Sequence, residues 1–92
     1  MDRTHYLTLI EPAIALVARK SEDYQSAAVA LEDYFPFGDK SYVQMLHVKT
    51  MRLVSLANNS NPNFEAAQDS VLDLINYAVF YLEYFQRRHH EL

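Results

Sequence analysis

Ninety-two residues at 10.7 kDa, half of them hydrophobic with one Gly and three Pro, describe a single packed helical domain and exclude a large multi-domain enzyme. Twelve acidic against eight basic residues give a formal net charge of −4, with no basic stripe for a polyphosphate backbone, so duplex nucleic acid is not an expected partner. The absence of Cys excludes disulfide scaffolds, zinc ribbons and thiol chemistry.

The N-terminal residues Met1-Asp2-Arg3-Thr4 lack a basic segment leading into a hydrophobic one, and no apolar stretch is long enough to span a membrane. The expectation is a cytoplasmic chain, in the host cytoplasm if viral, with no membrane partner. A domain this small buries only about 60 to 65% of its unfolded surface, which makes oligomerisation a natural source of stability.

Taken in chain order, residues 3–10 have the pattern of a short helix with Tyr6, Leu7, Leu9 and Ile10 on its apolar side. Pro12 disfavours helical geometry at Glu11 and suits the first turn of a new helix, so a break is expected there. The spacing then predicts a long amphipathic helix over 12–35: Ala13, Leu16, Val17, Tyr24, Ala27, Ala28, Leu31, Tyr34 and Phe35 fall within about 120° of arc. Pro36 and Gly38 end it in a turn with Phe35 and Phe37 as apolar anchors.

Ser41 and Gln44 form a capping-box pattern, and a helix over about 42–57 follows. Val43, Leu46, Leu53, Val54 and Ala57 make one of its faces; Met45, Lys49, Arg52 and Leu56 share another. Two apolar faces imply a helix covered on both sides, within the fold or across an oligomer interface. The Asn-rich stretch 58–63 reads as a loop, with Asn61 or Asn63 as the cap of a helix over about 64–88. That last helix is apolar over most of its circumference and leaves a narrow polar stripe of Glu65, Asp69, Asp73, Asn76 and Glu83. Gln86-Arg87-Arg88-His89-His90 places cations at its C-terminus, where the helix dipole favours them. Together these elements give an all-α fold: three main helices plus a short N-terminal one, in one domain spanning 1–92, completed by homo-oligomerisation. The surplus of aromatics, seven Tyr and five Phe, points the same way.

Several residues sit oddly on these faces. Lys20 falls in the middle of an apolar stripe, where its stem can pack while the ammonium reaches water, or where it can line an anion pocket beside Tyr24. Lys49 and Arg52, three residues apart, can grip one phosphate together or pair with the acidic stripe of the last helix. Asp69, Asp73 and Asn76 with Glu65 present oxygens toward a common point, as a hard cation such as Mg²⁺ requires, yet the same spacing occurs on ordinary solvated faces. Hydrolysis would need a second acidic cluster, which only Glu32 and Asp33 could supply. His47 falls on an apolar face and is expected as a buried core histidine. No base-and-orienter arrangement accompanies Ser41, Ser60 or Ser70, and there is no glycine-rich phosphate loop.

The blocks Lys20-Ser21-Glu22-Asp23-Tyr24, Phe37-Gly38-Asp39-Lys40-Ser41, Lys49-Thr50-Met51-Arg52-Leu53 and Asp69-Ser70-Val71-Leu72-Asp73-Leu74-Ile75-Asn76-Tyr77-Ala78 resemble the nucleotide modification associated domain family, small all-helical proteins of bacteriophages and bacteria. The last block is the most specific. The resemblance covers roughly residues 18–82 and implies action on or around nucleotides, selecting Lys20, Asp23, Tyr24, Lys49, Arg52, Asp69, Asp73, Asn76 and Tyr77. A weaker likeness is to MazG-type nucleotide pyrophosphohydrolases, whose paired E-x-x-E and E-x-x-D motifs are not present in that form.

The functional expectation is a phage-type protein that binds, and in an anti-defence role sequesters, a nucleotide or cyclic-nucleotide signal. Lys20, Lys49 and Arg52 would meet phosphates, Tyr24 and Tyr77 would stack bases, and Asn76 would hydrogen-bond them. The alternatives are a Mg²⁺-dependent nucleotide hydrolase using Asp69, Asp73 and Glu65, and a structural interaction module held by an internal salt-bridge network.

Overall fold

A computed structural model describes residues 2–25, 31–61 and 63–91, with the side chains of Tyr24, Gln25, Leu31, His90 and Glu91 outside the description. The described residues form an all-α bundle: α1 (Arg3–Gln25), a short 3₁₀ helix (Leu31–Tyr34), α2 (Asp39–Ala57) and α3 (Phe64–Glu91), with no strand among them. None of these helices is long and apolar enough to cross a membrane.

The expected break at Pro12 is absent, and α1 runs through it as one helix of 23 residues. Thr8, whose carbonyl loses its helical donor at Pro12, is exposed, as is Pro12 itself, so water can take the vacant acceptor. The helical pattern expected over 12–35 is interrupted differently. Its described part ends at Gln25 and resumes as the 3₁₀ turn, while residues 26–30 lie outside the description.

The second helix begins earlier than the capping-box pattern suggested. Gly38 is its N-cap with φ 61° and ψ −130° and makes no side-chain cap. Ser41 Oγ instead accepts the Phe37 N–H at 2.9 Å, closing the turn on the loop side. At the start of α3 the expected cap is present in Asn63, whose Oδ1 accepts the Ala66 N–H at 3.0 Å.

Aromatics build the core. Tyr42 of α2 lies between Phe35, stacked at 4.2 Å, and Tyr81 of α3, stacked at 5.1 Å, while Tyr77 meets Phe35 and Phe80 edge-on. Tyr42 and Phe80 are fully enclosed. Burial of each such ring stabilises the fold by about 1.5–3 kcal/mol, and each ring pair adds about 0.5–1.5 kcal/mol. Of the two anchors expected around Pro36, only Phe35 is buried, and Phe37 is 76% exposed.

The packed side of α2 is the one carrying Tyr42, Met45, Leu46, Lys49, Leu53 and Leu56. Val43 and Val54 face away, and His47, expected in the core, is exposed with them. Its apolar neighbours along the helix do not make it a core residue, because none of the described residues covers the Val43 stripe.

Two polar clusters tie the helices together. At one end of the molecule, Arg87 Nε pairs with Glu32 at 3.2 Å and Tyr81 donates to Asp39 at 2.8 Å. Arg88 donates to the Tyr84 hydroxyl at 2.7 Å. The other cluster lies where α1, α2 and α3 meet.

Candidate functional site

Lys20 on α1, Lys49 on α2 and Asp73 on α3 come together at one point. Lys20 Nζ stands 3.4 Å from Asp73 Oδ1, and Lys49 Nζ stands 2.8 Å from Asp73 Oδ2. Each carboxylate oxygen thus holds one ammonium, and the three helices share a single charge centre. The helical faces explain the meeting: Lys20 follows Val17 by one turn on the side of α1 that packs on α3, and Lys49 is on the packed side of α2.

Both ammonium groups also lie over the ring of Tyr77, at 5.8 Å for Lys20 and 5.4 Å for Lys49. The negative face of the phenol ring thereby lowers the repulsion between two cations held close together. Asp73 is about one-quarter exposed, at 28% of its side chain. Burial pushes its carboxyl upward, but the Lys49 hydrogen bond and the Lys20 and Lys49 charges outweigh that and hold it below its ordinary value of 3.8.

Arg52 extends the cationic row by one turn of α2, and its Nε donates to the buried Ser70 Oγ at 3.1 Å. Lys20, Lys49, Arg52, Asp69, Ser70, Asp73 and Leu16 line an open cleft of about 400 Å³. Three cations face two carboxylates there, so the cleft carries an excess of positive charge in a chain whose net charge is −4.

The structure therefore unites Lys20, Lys49, Arg52, Asp69 and Asp73, which the sequence singled out. Ser70 is the member that the sequence does not single out, because a serine with no base beside it signals no chemistry until the fold brings Arg52 against it. Its position within the Asp69-Ser70 pair of the most specific motif block was the available signal.

Tyr77 and Asn76, also expected as ligand residues, do not line the cleft. Tyr77 is 7% exposed, with Phe35 and Phe80 at its edges and the two ammonium groups over its ring, so it has no free face for a base. Asn76 is completely enclosed one turn beyond Asp73, and neither its Oδ1 nor its Nδ2 has a hydrogen-bond partner among the described residues. The side chain of Tyr24 lies outside the described residues.

For a cation, Glu65 and Asp69 are exposed and Asp73 is already engaged on both oxygens. No group of three or more His, Cys, Asp or Glu side chains that could hold a metal ion occurs among the described residues. Glu32, considered as part of a second acidic cluster, pairs with Arg87 and not toward Asp73.

A larger groove of about 450 Å³ lies between Tyr34, Phe37, Met45 and Val48, but Lys40 is its only charged lining residue. In the cleft at Asp73, by contrast, charged groups from α1, α2 and α3 converge. No family model, curated protein or solved structure matches the chain.

Proposed function

We propose that the chain binds a phosphate-bearing small molecule of the nucleotide class in the cleft around Asp73, and holds it without transforming it. The carrying observation is the convergence of Lys20, Lys49 and Arg52 on one open cleft in which a single carboxylate satisfies two ammonium groups. A phosphate offers more acceptor oxygens than Asp73 does, and can accept from Lys49 and Arg52 together while Asp73 keeps Lys20 oriented. The nucleotide class comes from the motif resemblance, which includes these same residues. With Tyr77 enclosed, selection of the base falls to groups at the cleft rim.

The test is a thermal-shift series with ATP, GTP, dTTP and a cyclic dinucleotide, with and without Mg²⁺, followed by chromatography of the nucleotide. A ligand at about a hundred times its dissociation constant stabilises by about 2.7 kcal/mol, which raises the melting temperature by several degrees. The expected result is a shift lost in Lys49→Ala and Arg52→Ala, with the nucleotide recovered intact. A product peak would establish the hydrolase in its place, and no shift with any nucleotide would defeat the proposal.

The structural-module reading is favoured by one specific observation, that Lys20, Asp73 and Lys49 join three helices by closed ion pairs. On that reading Lys49→Ala lowers the melting temperature of the free protein, and added nucleotide changes nothing in either form.

A further inference from the structure

Phe64, Val71, Ala78 and Phe85 recur at every seventh residue of α3, with Ile75 and Leu82 between them at alternating steps of four and three. This heptad stripe lies about 180° around the helix from Asn76 and Phe80, which face the bundle. Its outer members are open, with Phe64 81% exposed, Leu82 61%, Phe85 45% and Val71 43%, while Ile75 and Ala78 at its middle are half-buried. The groove formed by Ile10 and Ile14 of α1 with Ile75 and Val79 of α3 broadens the same face without a polar side chain among its lining residues.

The molecule as a whole leaves room for such a contact. Its accessible surface is 7031 Å², whereas a compact monomer of 10.7 kDa exposes about 5,500 Å². The excess is shared among the start of α1, the Val43 face of α2 and this stripe, and a stable interface takes roughly 800 Å² from each partner.

We infer that this stripe is the interface of a homodimer in which α3 packs against α3 of a second copy, antiparallel. Two features select that orientation. The first is that opposed helix dipoles attract when the two copies of α3 run antiparallel. Centring the seam also places the small Ala78 against Ile75 of the second copy and Val71 against its Leu82, so the layers fill evenly. A parallel pair would set Ala78 on Ala78 and align the two helix dipoles. This inference is independent of any ligand at Asp73, which lies on the other side of α3.

Light scattering on the eluting full-length chain is expected to give about 21 kDa, twice 10.7 kDa, with a melting temperature that rises with protein concentration. Leu82→Glu is expected to return the mass to that of one chain while the helical circular dichroism is retained, since Leu82 is exposed in the single chain. Val71→Glu is the second variant and is expected to behave alike.

Orientation is read from Gln68→Cys in this Cys-free chain, because residue 68 is on the seam and exposed. In the antiparallel pair the two copies of residue 68 stand about 25 Å apart, so oxidation is expected to give no covalent dimer. A mass of 10.7 kDa with a concentration-independent melting temperature would overturn the proposal. So would an assembly that both glutamate variants leave intact, and rapid disulfide formation at residue 68 would overturn the antiparallel arrangement.

Discussion

Asp73 carries more of this molecule than its size suggests, because both of its oxygens hold ammonium groups from other helices. Since its carboxyl titrates below 3.8 when folded, its stabilising effect is complete above the unfolded value of about 3.9 and is lost as pH falls through the folded one. Asp73→Asn is therefore expected to cost about 1 kcal/mol near neutrality, the partial exposure keeping the figure low. The difference between wild type and variant should narrow in urea melts as pH falls below 3.8 and close once the folded carboxyl is protonated, and a gap that acid does not narrow would place the effect outside the ion pairs. Asn76 makes the opposite case. Its enclosed amide has no partner among the described residues, so Asn76→Leu, of the same branched shape, is expected to raise stability by about 1 kcal/mol, its greater bulk offsetting part of the gain. If the same variant also loses the nucleotide-induced shift, the amide is kept for the ligand at the expense of the fold. A loss of stability in urea melts would instead show that its polar atoms are satisfied. Both residues were visible in the sequence as members of a polar stripe, whereas their opposite states, doubly paired and unpartnered, follow from what α1 and α2 bring against that stripe.

Among the elements, the turn into α2 has the least tolerance. Gly38 adopts φ 61°, and a Cβ there would stand 2.8 Å from the Tyr84 hydroxyl of α3. Gly38→Ala is thus expected to destabilise by about 1–3 kcal/mol through backbone strain, with Tyr84 forced to move as well. Near-UV circular dichroism should report the displaced tyrosine, and an unchanged melting curve would count against the close approach. The sequence announced this turn through Pro36 and Gly38, but not which flanking phenylalanine is anchored. Phe35 is buried because Tyr42 stacks on it, and Phe37 is left outside. Pro12 illustrates the reverse limit. A proline penalises a helix by a fixed local amount, and whether the helix continues depends on the solvation of the acceptor it leaves and on packing further along. Here Ala13 and Val17 seat α1 on α3 just beyond the proline.

For the whole molecule, an extended form follows from the uneven distribution of contacts. The radius of gyration is 15.0 Å, against about 12 Å for a compact chain of this length. The core lies between α2, α3 and the 3₁₀ turn, while Tyr6, Leu7 and Leu9 at the start of α1 remain exposed. Amide exchange is accordingly expected to be fastest over residues 3–9 and slowest over 73–84, with mass spectrometry of peptic fragments resolving the two. Equal protection would mean that the start of α1 is covered. The sequence by itself determined the helical class, the three main helices and the charged residues that meet at Asp73, because period, caps and breakers are local properties of the chain. Only the tertiary structure decided that Lys20 and Lys49 share one carboxylate, that Tyr77 is enclosed beneath them, that His47 is outside and that the Phe64–Phe85 stripe of α3 is left open. Each of those outcomes depends on which face of one helix another helix covers, and a face left apolar in the sequence looks the same whether its cover is the same chain or a second one.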